Sequence, residues 1–566
     1  MAESFNKFFV EKIEDLKQGI DTTLIEDPLV RLRERMRNNA HTLEFKTVTQ
    51  KQLASHLKKL KKKKSSGIDG LSQENLIMGA ANLLAPLTAI VNQSILDGEF
   101  PDGWKEALVT PVLKKGCRMK LGNYRPVSCL PAASKLLEIV VCDQLSNYLE
   151  RNKLLPENQH GFRPKRSTMT AWQDIQLDWA MNGEKDLITG VLLWDLSAAF
   201  DTLDCEGACA KLKIFGLQER SIRWVRSFLT DRTQCVKISG AKSTARAVPS
   251  GVPQGGVLSP LVFVLFVSDL QDWLSHSSAP TYADDTTTGT TGKTVEGTIA
   301  LMEEDAEMVL KYMASNGLVA NASKTSFLLI NAGRTDYNVT VRIGENQVKR
   351  ERSAKLLGIQ FQDSLRWKDQ IFGKGGIIPS LNSRLYIIRR LKGHLTSKNI
   401  LKVVDGIFTS KIRYGLQLIG KARTMKEDAI SADLWAIQLV QNKLLRLLNK
   451  SQVKDKISTS SLLKKFGMLS VNQLNAQVKL LEMWKSQNIA NYPLKVGKQE
   501  KNENICTTRA SAQGKLIELG RSTTTKGSST SDAIRIWNMA PKDIIDSQTV
   551  YQAKEKIKAY AKTLPV

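Results

Sequence analysis

Histidine is scarce in this chain: five are scattered over 566 residues, at His41, His56, His160, His276 and His394. A zinc knuckle or a histidine-dependent metal nuclease needs several within a short span, so neither is expected. Cysteine is equally uninformative as a framework. The seven residues (Cys117, Cys129, Cys142, Cys205, Cys209, Cys235, Cys506) contain no Cys-x-x-Cys pair, and Cys205 and Cys209 read as two positions on one helix face. That usage suits a reducing, intracellular compartment. Long apolar runs are missing too: the longest, 257–267, is broken by Ser259 and Pro260 and is too short to span a bilayer. The segment 1–10 lacks the basic start and apolar core of a signal peptide. No membrane partner is expected. Acidic residues are in deficit, with 56 Asp and Glu against 82 Lys and Arg, a formal net charge of +26. Such an excess of cations calls for a polyanion, most simply RNA or DNA.

What remains is ample for folding. A hydrophobic content of 42% supports more than one core in a chain of this length. Phe5, Phe8, Phe9, Ile13, Leu16 and Ile20 recur at helical spacing and predict an N-terminal packing helix. The densest charge run, Lys58–Lys64, leads into the turn Gly67-Ile68-Asp69-Gly70, and Lys64 at its end is placed to meet a phosphate backbone. Residues 107–128 read as strand, basic turn, strand, with Lys114 and Arg125 aiming cations into one region. From 378 to 485 the pattern is mainly helical, residues 486–531 are polar, and 533–564 predict a closing helical segment.

Two acidic stretches stand apart from this background. Val191-Leu192-Leu193-Trp194 is a continuous apolar run, read as a strand buried on both faces, and it ends on Asp195. Thr281-Tyr282-Ala283-Asp284-Asp285 places adjacent carboxylates where a strand turns back. Alone, that pair reads equally as a surface turn. Beside Asp195, it becomes half of an all-oxygen site that a hard divalent cation would stabilise.

With these motifs in view, the chain resembles the polymerase region of non-LTR (LINE-type, jockey-like) retrotransposon reverse transcriptases, most specifically over 58–370. The resemblance implies an α+β right-hand polymerase with an antiparallel palm sheet: a helical lead-in over 1–50, fingers over 51–185, palm over 186–365, helical thumb over 366–485, and a polar linker with a closing helical segment over 486–566. It implies that Asp195, Asp284 and Asp285, with the carbonyl of Leu196, bind two Mg2+ ions, for which Mn2+ can substitute, and that Lys324 gives a proton to departing pyrophosphate. Lys114 and Arg125 would hold the triphosphate, Phe200 would crowd a ribose 2′-hydroxyl, and Gln254 of Pro253-Gln254-Gly255-Gly256 would offer its amide to the nucleotide. Template and primer would lie along Lys64, Gly161, Phe162, Arg163, Gly255, Tyr282, Leu357 and Gly358. Many relatives carry serine where this chain has Gly256. The expected partners are an RNA template, a DNA primer or target DNA, and dNTPs, in a nuclear or cytoplasmic ribonucleoprotein. Relatives also carry an endonuclease ahead of this region, so a truncated element or split gene, with endonuclease supplied in trans, is expected. The rival expectations are an RNA-dependent RNA polymerase, a group II intron-type maturase, and a domesticated RNA-binding product without catalysis.

Overall fold

The computed structural model describes residues 1–566 apart from 115, 334–337, 430 and 495–527. It is a mixed α+β structure built on two sheets with a helical region toward the C-terminus. In the first sheet, β1 (Glu106–Leu113) pairs antiparallel with β2 (Tyr124–Cys129) and parallel with β4 (Arg232–Ile238), and β5 (Ala241–Lys242) and β6 (Arg246–Val248) pair with β4. In the second, β3 (Ile188–Trp194) lies between β10 (Ser326–Ile330) and β9 (Asp285–Gly292), antiparallel to both. The short strands β7 (Ser277–Ser278) and β8 (Thr281–Tyr282) pair with β9.

The unbroken apolar run of β3 has a simple cause. Leu192 and Trp194 face one core, with Phe327, Leu329 and Met302, while Val191 faces another with Leu328, Ile330, Trp172 and Trp179. A strand covered on both sides has no polar alternate positions. Gly190 is the point of closest approach, where a Cβ would collide with Met302 of the helix Val295–Ser315.

The N-terminal helix Ala2–Gln18 forms as its spacing predicts and packs on the first sheet. Phe5 and Phe9 share a small core with Val109 and Val236, and the buried Asn6 amide donates to Ser243 Oγ (3.0 Å) and to the Thr244 carbonyl (2.8 Å). Two hairpins follow the second sheet: β11 (Thr340–Ile343) with β12 (Asn346–Lys349), and β13 (Ser353–Leu356) with β14 (Ile359–Gln362). The second hairpin joins one core with the helices Thr168–Glu184, Ile377–Leu391 and Ala432–Asn449.

The polar linker expected over 486–531 falls largely on 495–527, outside the described residues. The closing segment is helical, with Ser529–Asn538 and Val550–Ala561 packed on Val471–Asn488. Inside that packing Lys479 donates to Asp532 (2.7 Å) with both side chains fully buried, and Asp532 also accepts the Ala422 N–H (2.9 Å). Among the described residues no helix is long and apolar enough to cross a membrane.

Candidate active site

Strand register brings the acids to one place. Trp194 of β3 pairs with Thr286 of β9, so the next residue outward on each strand, Asp195 and Asp285, leaves the sheet at the same end. Tyr282 pairs with Asp285, which makes Ala283-Asp284 a two-residue hairpin loop with Ala283 in the left-handed region (φ +61°). Alanine tolerates that conformation poorly, so neighbours must hold the turn. They do: His160 N–H donates to the Thr281 carbonyl (2.9 Å), Thr281 N–H donates to the Asn158 carbonyl (3.2 Å), and the Thr281 hydroxyl donates to Gln159. Residues 158–161 thereby flank β8, and a Cβ on Gly161 would strike the backbone nitrogen of Ala283.

Charge in the cluster is only partly balanced. Lys324 Nζ lies 3.5 Å from Asp195 Oδ2, both side chains being substantially exposed. Asn321 N–H donates to the Asp195 carbonyl (2.8 Å), which ties the turn carrying Lys324 to the end of β3. Partial desolvation of the carboxyl first, then the charges of Asp284 and Asp195, push Asp285 up to about 6, although the residue as a whole is exposed. The donor chemistry fits a hard divalent cation: three carboxylates and the neighbouring Leu196 carbonyl, with no nitrogen or sulfur among them. Among the described residues, no three His, Cys, Asp or Glu side chains are drawn together into a formed coordination group. The acids therefore share a field without a finished coordination sphere.

Around them stand the other predicted residues. Phe200, on the short helix Ala199–Thr202, stacks on Phe263 (centroids 4.3 Å apart) and is half-buried. Gln254 donates through Nε2 to Asp201 Oδ1 (2.6 Å). Gly255 (φ +94°) sits where a Cβ would lie 2.7 Å from the Ser128 carbonyl. Gly256 is explained by its surroundings: a Cβ would stand 2.5 Å from Ser259 Oγ and 2.8 Å from Glu138 Oε2. Glu138, fully buried, accepts the N–H groups of Val257 (2.5 Å) and Leu258 (3.1 Å) at the start of the helix Ser259–Phe266. Burial raises its pKa, and those two backbone donors oppose the rise. Because Val112 pairs with Arg125, alternation puts Lys114 and Arg125 on one exposed face of the β1–β2 hairpin. Lys64 is exposed, as is Phe162. Arg163 is turned inward, pairing with Glu150 (2.8 Å) and donating to the Pro156 carbonyl (2.6 Å), so it holds the 156–163 turn and offers no free guanidinium.

Leu357 and Gly358 form the β13–β14 turn, with φ of +47° and +78°. Sequence reasoning missed their neighbour Tyr414, whose hydroxyl donates to the Leu357 carbonyl (2.5 Å) and, after burial, helps to raise the pKa of Tyr282. Lys411, Arg384 and Lys355 form a basic group on the same side: burial, then those two cations, lowers the pKa of Lys411. Farther along the helix Ile377–Leu391, a cleft of about 760 Å3 is lined by Arg389, Lys392, Lys443, Arg446, Lys450 and Lys454 and, among the described residues, by no acid. Tyr414 lies in the turn just after the short helix Ser410–Arg413, in a segment without a motif, so no local signal marks it. Cys205 and Cys209 lie on one face of the helix Cys205–Ile214, and burial pushes their thiols up to about 11 and about 12, which disfavours the thiolates a metal would need.

Comparison with known proteins agrees with this architecture. The family described as reverse transcriptase (RNA-dependent DNA polymerase) matches residues 112–361. The RNA-directed DNA polymerase from mobile element jockey of Drosophila melanogaster is 27% identical over 72% of this chain and 44% of its own length. The probable RNA-directed DNA polymerases from transposon BS (29% identical, 43% of this chain and 28% of that protein) and from transposon X-element (24%, 68% and 42%), both of Drosophila melanogaster, are also similar. The chain spans less than half the length of these curated relatives. The chain carries a reverse-transcriptase domain of the non-LTR retrotransposon kind, similar to those of jockey, BS and X-element.

Proposed function

We propose that this protein is an RNA-directed DNA polymerase that extends a DNA primer 3′-hydroxyl on an RNA template, as in target-primed retrotransposition. The observation that carries the reading is the meeting of Asp195 with the Asp284-Asp285 hairpin at one end of the second sheet, next to Lys324. In a right-hand arrangement that sheet belongs to the palm (186–365), residues 51–185 to the fingers and 366–485 to the thumb. Asp195, Asp284, Asp285 and the Leu196 carbonyl would hold divalent magnesium, two ions in all. Bound there, the metal supplies activation of the attacking hydroxyl and neutralisation of the leaving pyrophosphate.

The chain's own groups do the rest. Lys324, 3.5 Å from Asp195, brings positive charge, and a transferable proton, to where pyrophosphate leaves. Lys114 and Arg125 project from one face of their hairpin toward the triphosphate, with Arg125 supplying a bidentate fork. Phe200 is braced by Phe263, so its ring cannot swing aside for a 2′-hydroxyl. Tyr282 and the Leu357-Gly358 turn, the latter held by Tyr414, support the primer end, and Lys355, Arg384 and Lys411 meet its phosphates.

The test is extension of a DNA primer on an RNA template with dNTPs or rNTPs. Wild type should extend with dNTPs in a Mg2+-dependent way, and Asp284→Ala should lower the rate by at least about 10^3. Preference for rNTPs would favour an RNA polymerase, and intron-specific splicing a maturase. RNA binding without extension would leave a non-catalytic role.

A further inference from the structure

Resting on the reading of Gln254 as a nucleotide contact, we infer that Asp201 is a positioning residue: it locks the Gln254 amide so that the carbonyl oxygen faces the incoming nucleotide. Asp201 Oδ1 accepts from Gln254 Nε2 at 2.6 Å, a hydrogen bond between two residues far apart in sequence. An ionised carboxylate can only accept, so the amide nitrogen must turn toward it. The other end of the amide, Oε1, then points away from Asp201 and presents an acceptor.

The backbone around this pair is zipped together. Val252 N–H donates to the Phe200 carbonyl (2.8 Å), Gly251 N–H to the Leu203 carbonyl (2.9 Å), and Ser250 Oγ to the Asp201 carbonyl (3.1 Å). Gly251, at φ +88°, lets the loop come so near that a Cβ would lie 2.6 Å from the Asp201 carbonyl oxygen. The glycine-rich loop and the short helix bearing Phe200 thus form one unit. Gln254 and Phe200, read as two nucleotide contacts, hold a fixed relation through Asp201 and its neighbours. Asp201 also borders a cavity of about 70 Å3 walled by Phe9 and Ile13 of the N-terminal helix. Burial raises the Asp201 pKa, opposed by the Gln254 hydrogen bond and by Lys12. A carboxyl kept there at a cost in desolvation, with Gln254 as its side-chain partner, is accounted for by what it does to that partner.

The near-isosteric Asp201→Asn removes the rule that only an acceptor faces Gln254, leaving the amide free to flip. Steady-state extension of a DNA primer on an RNA template should show the dNTP KM raised about five- to tenfold. The kcat should stay within about twofold, because the amide's contact is with the bound nucleotide. In a Gln254→Ala background, Asp201→Asn should add nothing further. The exchanged pair Asp201→Asn with Gln254→Glu keeps one hydrogen bond between the two side chains and again presents an oxygen to the nucleotide, so it should recover KM relative to Asp201→Asn alone. An unchanged KM in Asp201→Asn would overturn the inference, as would full loss in the Gln254→Ala background or failure of the exchanged pair to recover; each of these leaves the polymerase reading intact. Parallel falls in kcat and thermal stability would assign Asp201 a purely structural role and also overturn it. An inert wild type would instead overturn the polymerase reading, and the positioning role with it.

Discussion

Replacing Asp285 by asparagine should stabilise the metal-free protein around the acidic hairpin. The carboxyl is held at about 6 by burial and by Asp284 and Asp195, against an ordinary value of 3.8. Taken at face value, that gap corresponds to about 3 kcal/mol at neutral pH. Asp285 is exposed, so solvent screening reduces the figure to about 1 kcal/mol. The sign follows from the direction of the shift. A carboxyl with a raised folded-state pKa contributes stability that is complete below its unfolded value and is lost as pH rises through about 6. Without metal at pH 7.5, wild type therefore carries the repulsion and Asp285→Asn does not. Hydrogen exchange of peptides covering β3 and β9 should be roughly fivefold slower in the variant, the equivalent of about 1 kcal/mol. At about pH 3, below the unfolded value, the difference should nearly vanish after correction for intrinsic rates. Added Mg2+ should slow exchange in wild type more than in the variant. Faster exchange in Asp285→Asn at pH 7.5 without metal would refute the argument that the three acids repel one another.

Other consequences are as specific. Phe200→Val should raise ribonucleotide incorporation and, by removing the stack on Phe263, cost about 1–2 kcal/mol of stability; an unchanged dNTP to rNTP preference would remove Phe200 from the sugar contact. Gly161→Ala should push against Ala283 and displace the hairpin, lowering extension by at least about tenfold while the circular dichroism spectrum stays native; wild-type activity would mean the hairpin yields freely. Asp532→Asn strands the buried Lys479 charge and should cost about 3 kcal/mol or more, measured by chemical denaturation; a smaller loss would mean that Lys479 sheds its proton or reaches water.

Much of this arrangement is written locally in the chain. The run Val191–Trp194 is apolar because both faces of β3 are covered, and the Tyr282–Asp285 hairpin carries its acids where a turn tolerates them. Single short stretches therefore reveal both. Contacts between distant segments leave no such trace. Nothing periodic announces that residues 158–161 flank β8, that Tyr414 reaches Leu357, or that the N-terminal helix docks on the first sheet through Asn6. Arg163 shows the same limit. A basic residue in a Gly-Phe-Arg turn reads as an exposed cation, yet Glu150, thirteen positions earlier, turns it inward. The closing helices are amphipathic in sequence, but the ion pair that locks them to Val471–Asn488 joins residues 53 positions apart. Gly256 owes its identity to Glu138 of a distant helix, whose carboxylate a Cβ would meet, and no pattern around either residue announces that contact.

The most direct measurement counts bound metal. Electron paramagnetic resonance titration of Mn2+ into the protein with primer, template and a non-hydrolysable dNTP should give two tightly held ions per chain, and fewer in Asp195→Ala. If Asp195→Ala held as many ions as wild type and still extended the primer, convergence of Asp195 with the Asp284-Asp285 hairpin would not be the basis of catalysis.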